Sequence, residues 1–277
     1  MLMPRRFLQK QSQLLTLVLN LALGVVPSLA FFGWIERNAS LPLVGPALHW
    51  PWISLTEESL VLRCLWNVSL FLTFGALHTS LAQARAHRAL EGWLPPQVLR
   101  TAYLAATGLS LTAVMGLWQN TGILLWVLPL GPLGPLQSTF ALHLISALLF
   151  WSFMLACGIT LSRFDTLHFL GMRQIGQEAS ELKNTTGNPR LDRTGIFGVI
   201  RHPVYSLTLL AILVTPLMSL DRTLLGIAVC LYLAVGIPIE ERKLIALFGE
   251  AYRTYRNEVP ALVPGLTLFK KRLRRLR

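Results

Sequence analysis

The chain has 277 residues, of which 53% are hydrophobic and only 14% are charged. Soluble domains carry about 25% charged residues, so this composition argues against a soluble domain and favours a polytopic helical membrane protein. The formal net charge of +12 would be consistent with binding to nucleic acid. The basic residues fall along one membrane face, however, and we expect no nucleic-acid partner.

Six apolar segments predict membrane-spanning helices, because each is long and nearly free of charge. They cover residues 14–36, 59–82, 101–118, 138–161, 204–220 and 224–239. The sequence therefore predicts an all-α bundle of about six transmembrane helices. We expect two regions: N-terminal transmembrane helices over 1–161, and a region over 162–277 with a loop, a helical hairpin, an amphipathic helix and a basic tail. The first segment is longer than the apolar core of a signal peptide, so we expect it to be retained.

The Lys and Arg residues predict the orientation of these helices, because cytoplasmic loops are enriched in them. With a cytoplasmic N-terminus, all but three of the 25 Lys and Arg residues face that side, and the C-terminus is cytoplasmic as well. The terminal LFKKRLRRLR is predicted to contact anionic membrane lipids. We expect a multi-pass integral protein, and the short loops favour a bacterial inner membrane.

His78 and three cysteines are polar or reactive residues that lie inside the apolar segments. Cys64, Cys157 and Cys230 lack CxxC spacing and predict neither a disulfide framework nor a metal site, so we expect no metal. His78 lies near the cytoplasmic end of the second segment. An intramembrane histidine either hydrogen-bonds a neighbouring helix or faces a functional cavity, and the sequence leaves both alternatives open.

The polar stretch 162–203 is the longest in the chain, and long loops usually carry function or are disordered. Its aromatic and aliphatic residues over 164–175 predict a short membrane-surface helix before a turn-rich loop. Beyond it, the fifth and sixth segments predict a tight hairpin with SLDRT (219–223) as its loop.

Arg201, His202 and Pro203 stand directly before the first helix of this hairpin. Pro203 suits the first turn of a helix, which places His202 at the cap. An arginine beside a helix N-terminus favours an anion. The alternative is a capped helix whose arginine holds a lipid phosphate.

Glu240 and Glu241 are predicted to end the sixth helix at the same membrane level. Two carboxylates at a helix C-terminus are unfavourable, so we expect a cationic partner. Arg201 is one candidate and would fasten the hairpin by an ion pair. The other is a ligand in a pocket with both signs of charge, a pattern that suits the carboxylate, ammonium and sulfonium of S-adenosylmethionine.

Residues 240–265 predict an amphipathic helix, because apolar residues recur every three or four positions. Pro260 is expected to stop it. The alternative role of this helix is only to cover the protein at the membrane surface.

Two stretches of the C-terminal region carry a family resemblance. TGIFGVIRHPVY (194–205) and EERKLIALFGEAYRTYRNEVPALVPG (240–265) resemble the C-terminal signature of the isoprenylcysteine carboxyl methyltransferase superfamily. Members are integral membrane enzymes that bind S-adenosylmethionine between the hairpin and the C-terminal helix. Ile196 and Ser206 depart from the residues common in that signature.

Three further stretches narrow the resemblance. HTSLA (78–82), LRTAYLAATGLSL (99–111) and FDTLHFLGMRQIG (164–176) resemble the nurim and methanethiol S-methyltransferase branch. The resemblance implies an S-adenosylmethionine-dependent membrane methyltransferase. Its acceptor would be a small thiol such as methanethiol, or a lipid-like thiol or carboxylate such as isoprenylcysteine. The alternative is a nurim-like structural membrane protein without activity, and the intact Glu-Glu element favours the enzyme.

The resemblance also implies residue roles. The implied cofactor-binding residues are Thr194, Gly195, Arg201, His202, Pro203, Tyr205, Glu240, Glu241, Tyr252 and Tyr255. The implied catalytic residues are Arg201, His202 and Glu241. Glu240 would support Glu241, and His202 would act as a base for the acceptor. The candidates for the acceptor side are His78, Asp165 and Gln174. Methyl transfer to an anionic acceptor needs positioning more than acid–base machinery.

Overall fold

The computed structural model describes residues 14–39, 52–53, 55, 58–91, 93, 96–128, 135–163 and 191–265. The predicted membrane-surface helix over 164–175 and the basic C-terminal tail lie outside these residues.

The described chain is mainly helical. The helices are α1 (14–39), α2 (Leu60–Leu81), α3 (Ala84–Glu91), α4 (Pro96–Leu117), α5 (Pro135–Leu161), α6 (Pro203–Leu213), α7 (Leu220–Phe248) and α8 (Glu250–Glu258). Within α1, Leu21–Val25 form one π-helical stretch. Two short strands, β1 (Leu124–Val127) and β2 (Leu217–Ser219), pair antiparallel, which the sequence did not predict.

Five of the described helices, α1, α2, α4, α5 and α7, are long and apolar enough to cross a membrane. The prediction of an all-α polytopic membrane protein is therefore confirmed. The predicted fifth span over 204–220 is wrong in length, because α6 has only 11 residues. Such a helix rises about 16 Å, well short of a hydrocarbon core of about 30 Å.

The predicted hairpin loop over 219–223 is also wrong. The Ser219 hydroxyl accepts a hydrogen bond of 3.1 Å from the Arg222 N–H and caps α7. Asp221 and Arg222 therefore lie in the first turn of α7, where both side chains are buried. Ser219 is an N-cap residue, because its hydroxyl accepts a hydrogen bond from the N–H three residues later. The polar residues 219–223 therefore begin a helix and do not form a loop.

The predicted position of Glu240 and Glu241 at a helix end is wrong as well. They lie inside α7, which continues to Phe248, about two turns further on. The predicted single amphipathic helix over 240–265 is divided at Gly249, whose φ of +59° suits glycine. The helix α8 begins at the next residue and packs back on the last turns of α7 through Tyr252, Tyr255 and Val259.

The helix α7 lies at the centre of the bundle and contacts α2 on one side and α6 on another, while α5 packs on α6 and α4 packs on α1 and α2. The buried apolar core between these helices comprises Phe31, Ile35, Phe71, Leu111, Val114, Trp118, Phe150, Ala211, Ile212, Leu224, Leu225, Ala228, Val229 and Leu233. Gly75 lets α2 and α7 approach closely, because a Cβ there would lie 2.5 Å from Cδ2 of Tyr232.

A buried polar cluster at the start of α7, here called the N-terminal cluster, holds this end of the bundle. The Asp221 carboxylate accepts hydrogen bonds from Trp118 Nε1 at 3.0 Å and from the Thr121 hydroxyl at 2.7 Å. Arg222 donates to the carbonyls of Ala211 and Ile212. It thereby satisfies carbonyl groups that the end of α6 leaves without helical partners.

Candidate active site

The N-terminus of α6 forms one wall of the candidate site. His202 is the N-cap residue, and Pro203 occupies the first helical position and is buried. The missing N–H of Pro203 removes no helical hydrogen bond at this position. A short 3₁₀ turn, Gly195–Gly198, precedes this wall.

The segment 260–262, after α8, lies along this wall. The Arg201 N–H donates to the Pro260 carbonyl at 2.9 Å, and the His202 N–H donates to the Ala261 carbonyl at 3.0 Å. The Ser206 hydroxyl donates to the Leu262 carbonyl at 2.8 Å. The backbone N–H groups of Arg201 and His202 are therefore engaged within the chain and are not available to an anion.

Five side chains meet at the N-terminus of α6, and we call them the charged cluster. They come from α6, from α7 and from the two residues before α6. They are Arg201, His202, Tyr205, Glu240 and Glu241. The structure thus brings together residues that stand about 40 positions apart in the chain, because α6 and α7 are antiparallel neighbours.

Glu241 is the buried carboxylate of the charged cluster. Its Oε1 accepts from Arg201 Nε at 2.9 Å and from Nη2 at 2.6 Å. His202 Nε2 lies 3.3 Å from the same oxygen, and Arg256 Nη1 lies 3.8 Å from Oε2. The side chain is only 9% exposed, so Glu241 is an internal counter-charge for three cationic side chains.

Glu240 is the accessible carboxylate of the charged cluster. Its side chain is 42% exposed, and His202 Nδ1 lies 3.5 Å from Oε2. The Tyr205 hydroxyl donates to Oε2 at 2.8 Å. The geometry therefore favours Glu240 over Glu241 as the carboxylate that contacts a ligand, the reverse of the order that the resemblance implies.

His202 is sandwiched between both carboxylates. Its ring stacks on Tyr205, with centroids 5.4 Å apart and planes 6° from parallel. Burial opposes the charged imidazolium, but hydrogen bonds and charge from Glu240 and Glu241 outweigh it and raise the pKa of His202. A histidine held in its protonated form by two glutamates is poorly suited to the predicted role of base.

Arg201 is largely committed to the protein. Nη1 donates to the carbonyls of Arg256 and Val259, while Nε and Nη2 donate to Glu241. A guanidinium has five N–H donors, so one remains beyond these four bonds. Arg201 can offer a ligand one hydrogen bond, but a bidentate grip on a carboxylate would require release of Glu241.

Tyr252 and Tyr255, predicted to close the cofactor pocket, are buried in the packing of α8 on α7. The Tyr255 hydroxyl donates to the Phe197 carbonyl at 2.6 Å. Burial, together with the nearby charge of Glu241, raises the pKa of Tyr252 to about 12. Both phenols are therefore neutral, and in this arrangement they pack between α8 and α7 and stabilise the end of α7 that carries the charged cluster.

Thr194 and Gly195 lie in a separate exposed turn. The Thr194 hydroxyl donates to Asp192 Oδ1 at 2.7 Å, and Arg163 donates to Thr194 Oγ1. Gly195 has a φ of +56°, which explains a glycine there. The structure describes no direct contact between these residues and the charged cluster.

His78 belongs to a second polar group on α2 and α4, here called the polar wall (His78, Thr79, Tyr103 and Thr107). The Tyr103 hydroxyl lies 3.1 Å from His78 Nε2 and 3.2 Å from Nδ1. Thr107 Oγ1 lies 3.2 Å from Nδ1. The other acceptor-side candidates, Asp165 and Gln174, lie outside the described residues.

The polar wall is connected to α7. The Thr79 hydroxyl lies 3.0 Å from the Tyr232 hydroxyl. Sequence reasoning assigned no role to Tyr232 or Arg256. Tyr103 lies in the resembling stretch 99–111, but the sequence implied no role for it.

A mainly apolar groove of about 330 Å³ runs between α6 and α7. It is lined by Leu209, Cys230, Leu233, Ala234, Ile237, Pro238 and Leu262. Along α7 the groove reaches the turn directly before Glu240 and Glu241, so an apolar chain in it would end beside the charged cluster.

The fold and the charged cluster together define a polytopic helical membrane protein with a polar site where α6 and α7 meet the C-terminal helix α8. Known proteins share this sequence pattern. The chain is 28% identical to methanethiol S-methyltransferase of Crocosphaera subtropica, over 76% of this chain and 78% of that protein. It is 25% identical to methanethiol S-methyltransferase of Pseudomonas deceptionensis, over 80% and 77%.

A similar match joins the chain to an animal protein. Nurim of Mus musculus is 29% identical over 76% of this chain and 79% of that protein. No family model matches the chain, and no solved structure matches it. The relatives confirm the resemblance to the nurim and methanethiol S-methyltransferase branch.

Proposed function

We propose that the chain is an S-adenosylmethionine-dependent membrane methyltransferase whose cofactor contacts the charged cluster. The observation that carries the proposal is the pairing of two unlike carboxylates. Glu241 is fixed by Arg201 and His202, while the adjacent Glu240 is 42% exposed. A fixed cationic centre beside an accessible carboxylate complements a zwitterionic, cationic cofactor.

Each group of the charged cluster then has a defined role. Glu240 accepts hydrogen bonds from the ammonium or the ribose hydroxyls of the cofactor. The remaining N–H of Arg201 and the positive charge of His202 attract its carboxylate. Glu241 holds Arg201 and His202 in place and does not itself contact the cofactor. The bound cofactor supplies an electrophilic methyl group on a sulfonium, and the protein contributes orientation.

The acceptor that we propose is a small thiol, as in the names of the two bacterial relatives. A lipid-like thiol or carboxylate is the second candidate, and the apolar groove beside the charged cluster favours it. We also propose that the charged cluster faces the cytoplasm of a bacterial inner membrane with both termini on that side, because most basic residues then lie inside.

Binding of S-adenosylhomocysteine to purified protein in detergent tests the cofactor site by isothermal titration. We expect Glu240→Gln to weaken binding roughly tenfold or more, since a hydrogen bond to a charged group contributes about 1.5–3 kcal/mol. Glu250→Gln is the matched control, because Glu250 is 82% exposed on α8. Equal affinities of wild type and Glu240→Gln would contradict the assigned role of Glu240.

The competing function is a nurim-like structural membrane protein, which the nurim relatives favour. Arg201 being largely satisfied within the chain is also compatible with a purely architectural hairpin. Membranes containing the chain should be supplied with labelled S-adenosylmethionine and either methanethiol or a prenylcysteine analogue. A folded protein that neither binds S-adenosylhomocysteine nor labels either acceptor would support the structural function.

A further inference from the structure

The inference concerns the group that removes the proton from a thiol acceptor, and it rests on the proposed function. A thiol attacks a methyl group as its thiolate, so a neutral base near the acceptor accelerates the reaction. His202 does not fit this requirement, because it is 6% exposed and lies within 3.5 Å of both Glu240 and Glu241. Those contacts favour its protonated form.

His78 offers a different environment. Among the described residues its ring nitrogens contact hydroxyl groups, those of Tyr103 and Thr107, and no carboxylate. The Tyr103 oxygen is almost equally distant from both nitrogens, at 3.1 and 3.2 Å. The two lone-pair directions of an imidazole diverge, so one oxygen cannot be in line with both. Nδ1 thus has two hydroxyl neighbours, Thr107 and Tyr103, whereas Nε2 has only Tyr103 among the described residues, so we assign Nε2 to the ligand.

The bundle packs α2, which carries His78, against α7, which carries Glu240. Thr79, the next residue of α2, is hydrogen-bonded to Tyr232 of α7. Lys243 of α7, three residues after Glu240, donates to the Ala82 carbonyl at the end of α2 at 3.3 Å. The close approach of α2 and α7 at Gly75 makes this possible. The polar wall and the charged cluster thus both adjoin α7, the first from α2 and α4 and the second from α6.

We propose that His78 is the general base for the thiol acceptor and that Tyr103 and Thr107 are positioning residues that orient its ring. The thiol proton moves to His78 Nε2. The sulfur electron pair forms the new bond to the methyl carbon while the bond from that carbon to the sulfonium breaks. That electron pair stays on the cofactor sulfur, which leaves as a neutral thioether, and His78 afterwards releases its proton to water.

Several charged or titratable groups face His78 from the packed helices. On α4 they are Tyr103 and Arg100, whose guanidinium carbon lies 5.0 Å from the Tyr103 ring centroid. On α7 the nearest is Tyr232, through Thr79. The Arg100 cation does not stabilise a proton on His78, whereas Glu240 and Glu241 stabilise a proton on His202. Because of this difference, we assign the base to the polar wall.

Two thiols of different acidity separate a base from a structural residue. We propose measuring kcat/KM between pH 6 and 9 with methanethiol and with thiophenol, which is largely ionised at neutral pH without help. We expect His78→Gln to lower kcat/KM for methanethiol about 100-fold and for thiophenol less than about threefold. The methanethiol rate of the variant should also keep rising towards the pKa of the free thiol.

Variants with intact folds keep this test decisive. His143→Gln, the same substitution in α5, is the matched control and should retain wild-type rates. Tyr103→Phe should show a weaker selective loss for methanethiol, and it serves alone if His78→Gln does not fold. His143→Gln and Tyr103→Phe should both bind S-adenosylhomocysteine with wild-type affinity.

The outcomes separate this inference from the proposed function. Equal losses for both thiols, or no loss for either, would overturn the assignment of His78 while leaving the methyltransferase intact. A folded wild-type protein that binds no S-adenosylhomocysteine and methylates neither thiol would overturn the proposed function, and the role of His78 with it.

Discussion

The N-terminal cluster and the charged cluster lie at different levels of the same helix, α7, and use similar residue types in different ways. Asp221 and Arg222 are 7% and 3% exposed and bind side chains and carbonyls of the bundle. Arg201 and Glu241 are paired in the same closed manner. The charged cluster adds a neighbouring carboxylate, Glu240, with 42% of its side chain exposed.

This difference teaches how to distinguish an architectural polar cluster from a candidate site in a membrane bundle. Intramembrane charge is costly wherever it occurs, so its presence alone does not identify a site. The buried charges of both clusters make hydrogen bonds, as buried groups require, although Nη1 of Arg222 has no hydrogen-bond partner among the described residues. An accessible, partly satisfied group beside a fixed counter-charge is the distinguishing feature, and substitutions at the two clusters should therefore differ in what they change.

The largest expected effect is on stability, at the buried carboxylate of the charged cluster. Glu241→Gln leaves Arg201 buried without its counter-charge, and breaking a buried ion pair costs roughly 3–5 kcal/mol. We expect a much lower Tm in detergent and loss of S-adenosylhomocysteine binding. The double variant Arg201→Met with Glu241→Leu should recover part of the Tm but not the binding. Recovery of both would show that this pair has no part in the site.

Asp221→Asn should have the next largest effect. It weakens charge-assisted hydrogen bonds from Trp118 and Thr121, and we expect a loss of about 1.5–3 kcal/mol. Because the N-terminal cluster is architectural, the folded variant should bind S-adenosylhomocysteine with wild-type affinity when measured well below its Tm. A selective loss of affinity without a lower Tm would contradict the distinction between the clusters. Asp192→Asn, at an exposed turn, is the control.

Glu240→Gln should have the opposite profile. Its carboxylate is 42% exposed, and ion pairs of exposed groups contribute about 0–1 kcal/mol. We therefore expect a small change in Tm together with the loss of cofactor affinity proposed above. Tm values of Glu240→Gln and Glu241→Gln measured side by side test the comparison directly. Equal decreases would show that Glu240 is as architectural as its neighbour.

The membrane class and most helices could be predicted from the sequence, because apolar length is a strong signal. The pairing of Arg201 with Glu241 was among the stated alternatives. Helix ends were predicted less well: Asp221 and Arg222 look like a loop until Arg222 finds the carbonyls of Ala211 and Ile212. Those partners are set by tertiary packing, which local sequence does not encode.

The unequal exposure of Glu240 and Glu241 could not be predicted for the same reason. Adjacent residues on a helix point about 100° apart, and which of them faces Arg201 depends on the rotation of α7 against α6. The role of Tyr103 likewise depends on the crossing of α2 and α4, which brings its hydroxyl to His78. The residues of the candidate site could thus be predicted from the sequence, but their exposure and their contacts with one another could not.

The smallest expected effect is a pH dependence of stability that comes from His202. Glu240 and Glu241 raise its pKa in the folded protein despite its burial, whereas the unfolded chain has the ordinary value of about 6.5. The stabilisation is therefore complete below about pH 6.5 and is lost as the pH rises through the folded-state pKa. Wild-type Tm should fall across this window, and His202→Gln should have a shallower slope. His143→Gln is the control and should follow wild type. Parallel curves for wild type and His202→Gln would mean that folding does not raise the pKa of His202, which would restore it as a candidate base and weaken the case for His78.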